Sequence, residues 1–282
     1  MEQSDFQKLK VGTIRMDYLV SVIIPCFNTG VFLPEALQSV FDSGFENYEV
    51  IVVNDGSVDE TTLEILASID FPKVKVIHQE NKGLGAARNF GVRNSIGELL
   101  FFLDSDNRVR KGYFENALES FKADSSLGVV YSRPVFFGES DEIRFIAKPY
   151  NFNALLAGNY IDACAFVRRS TFQEVGGFDE DRRLKISEDW DLWVRVGLTD
   201  WKFHFIDKPL FDYRIRKNSM IGSSDLGNKE ITLQYLGEKY GYLIHQKYRQ
   251  HFRVLEMIQK KPFSYFLRIL YYKYILKKPL IK

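Results

Sequence analysis

Four short apolar runs alternate with helical patterns between residues 20 and 103, and this alternation limits the possible folds more than any other feature. The runs are Val20–Pro25, Glu49–Val53, Val74–Ile77 and Leu99–Leu103. Each is short and rich in β-branched or large apolar residues, which is typical of a strand buried on both faces. Strands that alternate with helices form a parallel sheet with helices on both of its faces. The sequence therefore predicts an α/β fold.

The pattern changes along the chain. Helices are predicted at about 32–41, 58–69 and 83–94, and Ser57 with Glu60 predicts a capping box for the second. Beyond residue 107 the alternation loosens, and from about residue 226 the chain becomes helical and basic. We predict a polar lead at 1–17, a catalytic domain at 18–222 with halves at 18–107 and 108–222, and a helical extension at 223–282.

The fourth apolar run delivers two carboxylates, Asp104 and Asp106, at its C-terminal end. In open α/β sheets, ligands bind at that end of the strands. Mg²⁺ and Mn²⁺ take one or two protein carboxylates and complete their shells with water and substrate phosphates. The pair therefore indicates a metal-bridged phosphate substrate. The alternative is a turn held by local hydrogen bonds from these side chains.

Charge and cysteine content exclude several classes of protein. The net charge of +1 gives no overall attraction to nucleic acid. The two cysteines lack CxxC spacing, which argues against a disulfide framework or a zinc site and favours a reducing compartment. We expect no signal peptide at the polar start and no membrane-spanning helix. The predicted location is the cytoplasm.

Six short motifs follow one another in a fixed order. They are Ile24–Asn28, Val53–Ser57, Asn81–Asn89, Leu103–Asp106, Gly176–Glu180 and Glu188–Trp193. This series, within residues 20–220, resembles glycosyltransferase family 2, the inverting sugar transferases of GT-A fold. The resemblance implies a mostly parallel, Rossmann-like sheet flanked by helices. It also implies transfer of a hexose or N-acetylhexosamine from a nucleotide-diphosphate donor, with UDP favoured, to a glycan or lipid-linked glycan in bacterial surface polysaccharide synthesis.

The resemblance assigns a nucleotide-binding role to residues after the first three strands. Asp55 would contact the base, with Pro25 and Phe27 lining the same slot. The alternative for Asp55 is a local turn before Ser57. Arg88 would bind the nucleotide sugar, and Lys82 would face either the diphosphate or solvent.

Asp104, Ser105 and Asp106 have related roles in the resemblance. Asp104 would lie near the ribose and the metal shell, Ser105 would bind the nucleotide sugar, and Asp106 would ligate Mn²⁺ or Mg²⁺. Many relatives carry a histidine where Arg216 stands here. Arginine does not ligate metals but binds phosphate well, so Arg214 and Arg216 become candidate diphosphate clamps, and a third protein ligand to the metal is in doubt.

By the same resemblance, Asp189 is the general base that takes the proton from the acceptor hydroxyl. Glu188, Trp190 and Asp191 would support the site or contact the acceptor. The alternative is that these acids only favour the N-terminus of a helix, where the dipole tends to keep a carboxylate ionised. Trp190 would stack on a sugar or pack in the core.

The C-terminal segment 260–282 combines aromatic and aliphatic residues with basic ones and contains no acid. Its basic residues are Lys260, Lys261, Arg268, Lys273, Lys277, Lys278 and Lys282. This composition predicts an amphipathic helix lying on an anionic membrane, at the inner face of the cell membrane. The alternatives are a helix packed on the catalytic domain and a dimer contact.

Two other functions compete with sugar transfer. One is a non-catalytic protein that binds nucleotide sugars or acts as a membrane scaffold. The other is a sugar nucleotidyltransferase, which needs a glycine-rich, arginine-bearing loop after the first strand. The segment 25–28, Pro-Cys-Phe-Asn, is a poor substitute for that loop.

Overall fold

The computed structural model describes residues 19–184, 186–216 and 226–277. Within them, eight strands form one sheet in the order β3-β2-β1-β4-β7-β6-β8-β5. The strands are β1 Val20–Cys26, β2 Tyr48–Asp55, β3 Val74–Gln79, β4 Leu99–Phe102, β5 Arg108–Val109, β6 Leu127–Gly138, β7 Phe166–Arg168 and β8 Lys202–Ile215. The predicted polar lead and the predicted boundary at 222–223 lie outside the described residues.

Helices cover the sheet and extend it at the C-terminus. They are α1 Leu33–Phe41, α2 Glu60–Ser68, α3 Leu84–Arg93, α4 Tyr113–Ala123, α5 Phe152–Ala157, α6 Arg169–Glu174, α7 Glu188–Val196, α8 Leu226–Lys260 and α9 Pro262–Leu270. A π-helical turn, Tyr271–Ile275, continues α9.

The predicted capping box at Ser57 is wrong. The N-cap residue of α2 is Asp59, whose Oδ2 accepts a hydrogen bond of 2.8 Å from the backbone N–H of Thr62. Ser57 Oγ instead accepts a bond from the backbone N–H of Asn28 and so joins the loops after β1 and β2. An aspartate two residues further on takes the cap, because its carboxylate reaches the free N–H groups of the first turn.

The α/β fold prediction is confirmed, and the sheet is mixed. Strands β3, β2, β1 and β4 pair in parallel, as the four apolar runs predict. Strand β7 then pairs antiparallel with both β4 and β6, and β5 pairs antiparallel with β8. The long strands β6 and β8 are parallel to each other. The regular half of the sheet therefore brings the carboxyl ends of β1, β2 and β4 to one edge.

The two faces of β1 enter separate cores. Val22 and Ile24 pack with Phe101 in one core, whereas Ile23 packs with Phe102 in the other. Phe101 stacks on Phe166, with ring centroids 4.4 Å apart. Burial on both faces explains the continuous apolar runs. This double core fixes the position of each strand end at the site.

The closest approach between a helix and the sheet depends on Gly91 of α3. A Cβ at this position would lie 2.5 Å from Ile23 Cγ2 and 3.1 Å from Val53 Cγ2. Both atoms belong to buried strands, so neither moves freely. Gly91 lets α3 lie directly on β1 and β2, which places the start of that helix beside the site.

We expect Gly91→Ala to destabilise the protein by about 1–3 kcal/mol, because a methyl group would overpack this contact. The measurement is the free energy of unfolding from urea titration. Gly237→Ala is the matched control, since a Cβ there meets no atom within 4 Å. Within helix α8 that change should stabilise by up to about 1 kcal/mol. Equal effects of the two substitutions would contradict the packing argument.

Candidate functional site

Loops from three parallel strands meet the first turn of α7 at one edge of the sheet. The loop after β4 carries Asp104 and Asp106, and Asp55 ends β2. Helix α7 begins with Glu188 and Asp189. Such an edge is where α/β sheets bind ligands. The structure brings together carboxylates that are 84 positions apart along the chain, since Asp104 and Glu188 share the guanidinium of Arg88.

Asp55 holds the start of the glycine-rich loop. Its Oδ1 accepts hydrogen bonds from Gln79 Nε2 at 2.7 Å and from the backbone N–H of Lys82 at 2.9 Å. Its Oδ2 accepts a 2.9 Å bond from the N–H of Gly83, which has φ +93°. The alternative role of Asp55 was to hold a local turn before Ser57. Asn54 holds that turn instead, since its Oδ1 accepts a hydrogen bond from the N–H of Ser57. Base contact by Asp55 stays a prediction.

The two residues predicted to line the base slot differ in accessibility. Pro25 is buried within β1 opposite Val53, whereas Phe27 is 46% exposed just beyond the strand. Phe27 is therefore the one that offers an accessible ring to a base. Ser105 is also buried, and its Oγ lies 2.6 Å from Thr29 Oγ1. Its hydroxyl braces the loops after β1 and β4 together.

Arg88 is a buried cation between two carboxylates. One end of its guanidinium pairs with Asp104 Oδ1 at 2.6 Å, and the other end pairs with Glu188 Oε1. Burial by itself lowers the pKa of Arg88, but the charges of Asp104 and Glu188 outweigh burial and keep the pKa above its usual value. The structure makes Arg88 a bridge between the β4 loop and α7, and its contact with the donor stays a prediction.

Asp189 lies in the first turn of α7, and its side chain is buried. Its Oδ2 accepts a 3.1 Å hydrogen bond from Asn159 Nδ2, and its Oδ1 accepts one from the N–H of Trp190. Burial, followed by the charges of Glu188 and Asp162, raises the pKa of Asp189 well above its usual value. Burial and the neighbouring acids thus oppose the helix dipole, which was expected to keep this carboxylate ionised. Its environment makes it a stronger base.

Asp106 is paired with Arg216, one of the predicted diphosphate clamps. Arg216 Nη2 lies 2.7 Å from Asp106 Oδ2. Burial and the charge of Asp104 raise the pKa of Asp106 to about 6, and Arg216 opposes that rise. The cation of Arg216 thus occupies one oxygen of the carboxylate predicted to ligate a metal.

The other two predicted diphosphate clamps lie in different surroundings. The guanidinium of Arg214 pairs with Glu35, and its Nε donates to the backbone carbonyl of Asp106 at 2.9 Å. Arg214 is therefore held in place by α1 and the β4 loop. Lys82 is exposed on the glycine-rich loop. Of the three, Arg216 lies directly on the Asp106 carboxylate.

The carboxylates after β4 fit a metal ion that keeps water and phosphate ligands. In the described ranges, no three His, Cys, Asp or Glu residues are grouped to hold a metal. Asp104 and Asp106 alone match the needs of Mg²⁺ or Mn²⁺, which use one or two carboxylates together with substrate phosphates. They do not match a closed, all-protein metal site.

The remaining predicted residues of α7 are structural supports. Trp190 Nε1 donates to the carbonyl of Leu155 at 2.6 Å. Asp191 is buried and accepts a bond from Tyr240 OH at 2.6 Å, and its carboxylate also pairs with Lys239 and Arg195 at 2.7 Å each. Asp191 therefore joins α7 to α8, which favours the supporting role among the two that the sequence left open.

Sequence reasoning missed Asn159 and Asp162. Asn159 orients Asp189, and Asp162 accepts a 2.8 Å bond from the N–H of Cys164. Burial and the charge of Asp104 raise the pKa of Asp162, so it is another carboxylate of the same cluster. The only sequence signal for Asp162 is an acid inside the apolar stretch 160–167. Asn159 gives no signal, because its role depends on a contact 30 positions away.

Comparison with known proteins identifies relatives. A model described as glycosyl transferase family 2 matches residues 21–176. An uncharacterized glycosyltransferase of Rickettsia prowazekii is 31% identical over 225 residues, which is 76% of this chain and 67% of that protein. The minor teichoic acid biosynthesis protein GgaB of Bacillus subtilis is 28% identical over 72% of this chain and 23% of its own length. The chain spans between 32% and 67% of the length of three curated relatives that it matches.

Solved structures share the fold. S. aureus TarS, residues 1–349 in complex with UDP-GlcNAc, superposes with a TM-score of 0.62 at 18% identity. The superposition covers 79% of this chain and 73% of that one. At this identity the likeness shows the fold alone, and it confirms the predicted GT-A arrangement.

We expect Arg88→Met to destabilise the fold by about 3–5 kcal/mol, because it leaves the buried Glu188 and the partly buried Asp104 without their partner. Urea unfolding measures the change. Arg93→Met is the matched control on the same helix, since Arg93 is exposed and 3.9 Å from its nearest acid, and it should cost less than about 1 kcal/mol. Adding Glu188→Gln to Arg88→Met should recover part of the loss, because one buried charge disappears. A double variant as unstable as the sum of both single changes would contradict the bridge.

Proposed function

Because the chain belongs to glycosyl transferase family 2, we propose that it transfers a sugar from a UDP-linked donor to an acceptor hydroxyl, with inversion at the anomeric carbon. The observation that carries the proposal is the position of Asp189. Its carboxylate is buried at the start of α7, and the Arg88 bridge joins the same turn to the loop that carries Asp104 and Asp106. A basic group thus adjoins the residues suited to a diphosphate.

The chemistry assigned to the residues is a single displacement. Asp189 accepts the proton from the acceptor hydroxyl while that oxygen attacks the anomeric carbon. The bond from this carbon to the diphosphate oxygen breaks, and its electron pair leaves with the nucleoside diphosphate. Attack from the face opposite the leaving group inverts the centre, through a transition state with oxocarbenium character as in glycoside hydrolysis.

The leaving diphosphate carries negative charge that needs a partner. Asp106 and Asp104 would hold Mg²⁺ or Mn²⁺, which when bound neutralises this charge. Arg216 adds a planar fork of N–H donors that suits phosphate oxygens. At the other end of the donor, the ring of Phe27 and the loop held by Asp55 would receive the base.

The relatives support a role in surface polysaccharide synthesis. GgaB is named for teichoic acid biosynthesis, and the TarS structure contains UDP-GlcNAc. We therefore propose a bacterial cell-surface glycan or its lipid-linked precursor as acceptor. Family membership argues against the sugar nucleotidyltransferase. A non-catalytic protein of the same fold remains the competing function, and it would bind UDP without transferring sugar.

Calorimetric titration with UDP, dTDP and GDP, each with Mn²⁺ or with EDTA, tests donor binding. We expect UDP to bind most tightly, and binding to weaken in EDTA because the diphosphate then lacks its cation. Asp106→Ala should abolish the Mn²⁺ dependence. The exposed acid Asp70 supplies the matched control, Asp70→Ala, which should leave both affinities unchanged. If none of the three nucleotides binds under either condition, the assignment of the site is wrong.

Asp189→Asn separates binding from catalysis. The amide keeps the shape of the side chain but does not accept the proton, so transfer should fall by roughly 10²–10⁴-fold. UDP affinity should stay within about twofold, since the contacts to the diphosphate are untouched. Release of UDP from a UDP-sugar donor in the presence of acceptor measures transfer. Near-normal transfer by this variant would remove Asp189 from the role of base.

The pH profile provides a second test of Asp189. The active form is the carboxylate, and burial with neighbouring acids raises its pKa. Activity should therefore be lost as pH falls through a midpoint above the range of an ordinary aspartate, and it should be full above that midpoint. Transfer measured across the pH range with saturating donor gives the midpoint. A midpoint in the ordinary aspartate range contradicts the assignment.

A further inference from the structure

Helix α8 has two different halves. Its first half packs on the sheet domain, where Leu236 and Tyr240 are buried. Lys247 still lies over the ring of Phe152, at 5.8 Å. Beyond that point the side chains of α8 are mostly exposed, and α9 follows after a break at Lys261, with Tyr265 as its buried side chain. The second half of α8 and α9 thus form a helical arm at the surface.

The arm presents a row of large apolar side chains on α9 and the turn that follows it. Phe263, Leu267, Tyr271 and Tyr274 recur every three or four positions, which places them on one helix face. All are at least half exposed, Phe263 to 73% and Tyr274 to 62%. Phe266 extends the row. We call these five residues the α9 stripe.

The second half of α8 repeats the pattern. Ile244, Tyr248, Phe252 and Leu255 follow the same spacing, and each is more than two-fifths exposed. We call them the α8 stripe. Single exposed apolar residues are ordinary, but contiguous apolar surface of this kind marks an interaction site.

Positive charge is concentrated on the same arm. Residues 245–277 contain eight basic side chains and one acid, Glu256, so the arm carries +7. The whole chain carries +1, which leaves −6 on the rest of it. The basic residues are Lys247, Arg249, Arg253, Lys260, Lys261, Arg268, Lys273 and Lys277. The arm is therefore the cationic region of a protein that is otherwise acidic.

We propose that this arm docks on an anionic lipid surface, with both stripes in the headgroup boundary and the basic residues near the lipid phosphates. Helices that combine an apolar face with lysine and arginine bind such surfaces in the plane of the interface. No described helix is long and apolar enough to cross a bilayer, which agrees with docking in the plane of the interface.

A second copy of the chain is the competing partner for the stripes. Two arms in contact would bring two net charges of +7 together. Like charges in juxtaposition disfavour an interface. An anionic surface instead satisfies the apolar and the basic residues at the same time. Charge therefore favours lipid over contact between two arms.

Flotation of the full chain with vesicles tests the proposal. One vesicle is phosphatidylcholine, and the other is phosphatidylcholine mixed with phosphatidylglycerol. We expect binding to the mixed vesicles only, and weaker binding at high salt because salt screens the charges. The measurement needs no nucleotide, so it is independent of the proposed donor binding.

Two variants separate the apolar and the electrostatic contributions. Phe263→Ser with Leu267→Ser should lower binding to the mixed vesicles by roughly tenfold or more, because two inserted side chains are lost. Arg268→Gln with Lys273→Gln should lower it by a similar factor and reduce its salt dependence. Ile96→Ser is the control, since Ile96 is 77% exposed on the loop after α3 and should leave binding unchanged. Unchanged circular dichroism and unfolding midpoints show that each variant is folded.

Two results would overturn the proposal. One is equal binding of the full chain to neutral and anionic vesicles, or to neither. The other is a dimer, seen by light scattering, that Phe263→Ser with Leu267→Ser dissociates, because the α9 stripe would then belong to a second copy.

Discussion

The site depends on one buried cation. Arg88 lies among acids that would repel one another without it, and it reaches Asp104 on the sheet and Glu188 on α7 at the same time. A buried ion pair does not by itself stabilise a fold, but removal of one partner is costly. Arg88 therefore fixes the distance between the loop suited to the diphosphate and the helix that carries Asp189. Gly91 supports this arrangement, because it lets the helix that bears Arg88 lie directly on β1.

Backbone N–H groups hold the proposed nucleotide-binding loop in a similar way. Asp55 receives the N–H groups of Lys82 and Gly83, so a carboxylate of β2 shapes the loop that begins α3. The segment around Asp179 then covers this loop, since a Cβ on Gly85 would lie 2.7 Å from the carbonyl of Asp179. Each part of the edge is thus positioned by a neighbour distant in the chain. This interdependence gives several of the predicted ligand-binding residues a structural role, and their contacts with a ligand stay predictions.

The sequence predicted the parallel half of the sheet because burial on both faces leaves a continuous apolar run, as in β1 and β4. It also predicted the acids at the site, since the order of the motifs indicated the family. It did not predict that β8 continues through Pro209, because a proline suggests that a strand ends there. The strand continues because its pairing with β6 extends to both sides of that proline. It assigned Arg88 to the donor and missed Asn159. Both roles depend on contacts across 30 to 100 positions, which no local pattern encodes.

The junction between α7 and α8 determines which part of α8 can change in sequence without disturbing the site. Lys239 and Tyr240 hold the buried Asp191, one turn or less from Asp189, so the first half of α8 is bound to the chemistry. The 35-residue helix is about 52 Å long, and its far half does not contact Asp191. Under the proposed docking, exchange of that distal portion alone would change the surface that the protein binds and leave the residues around Asp189 in place. The catalytic site and the lipid-binding surface would then vary independently, although one helix contributes to both.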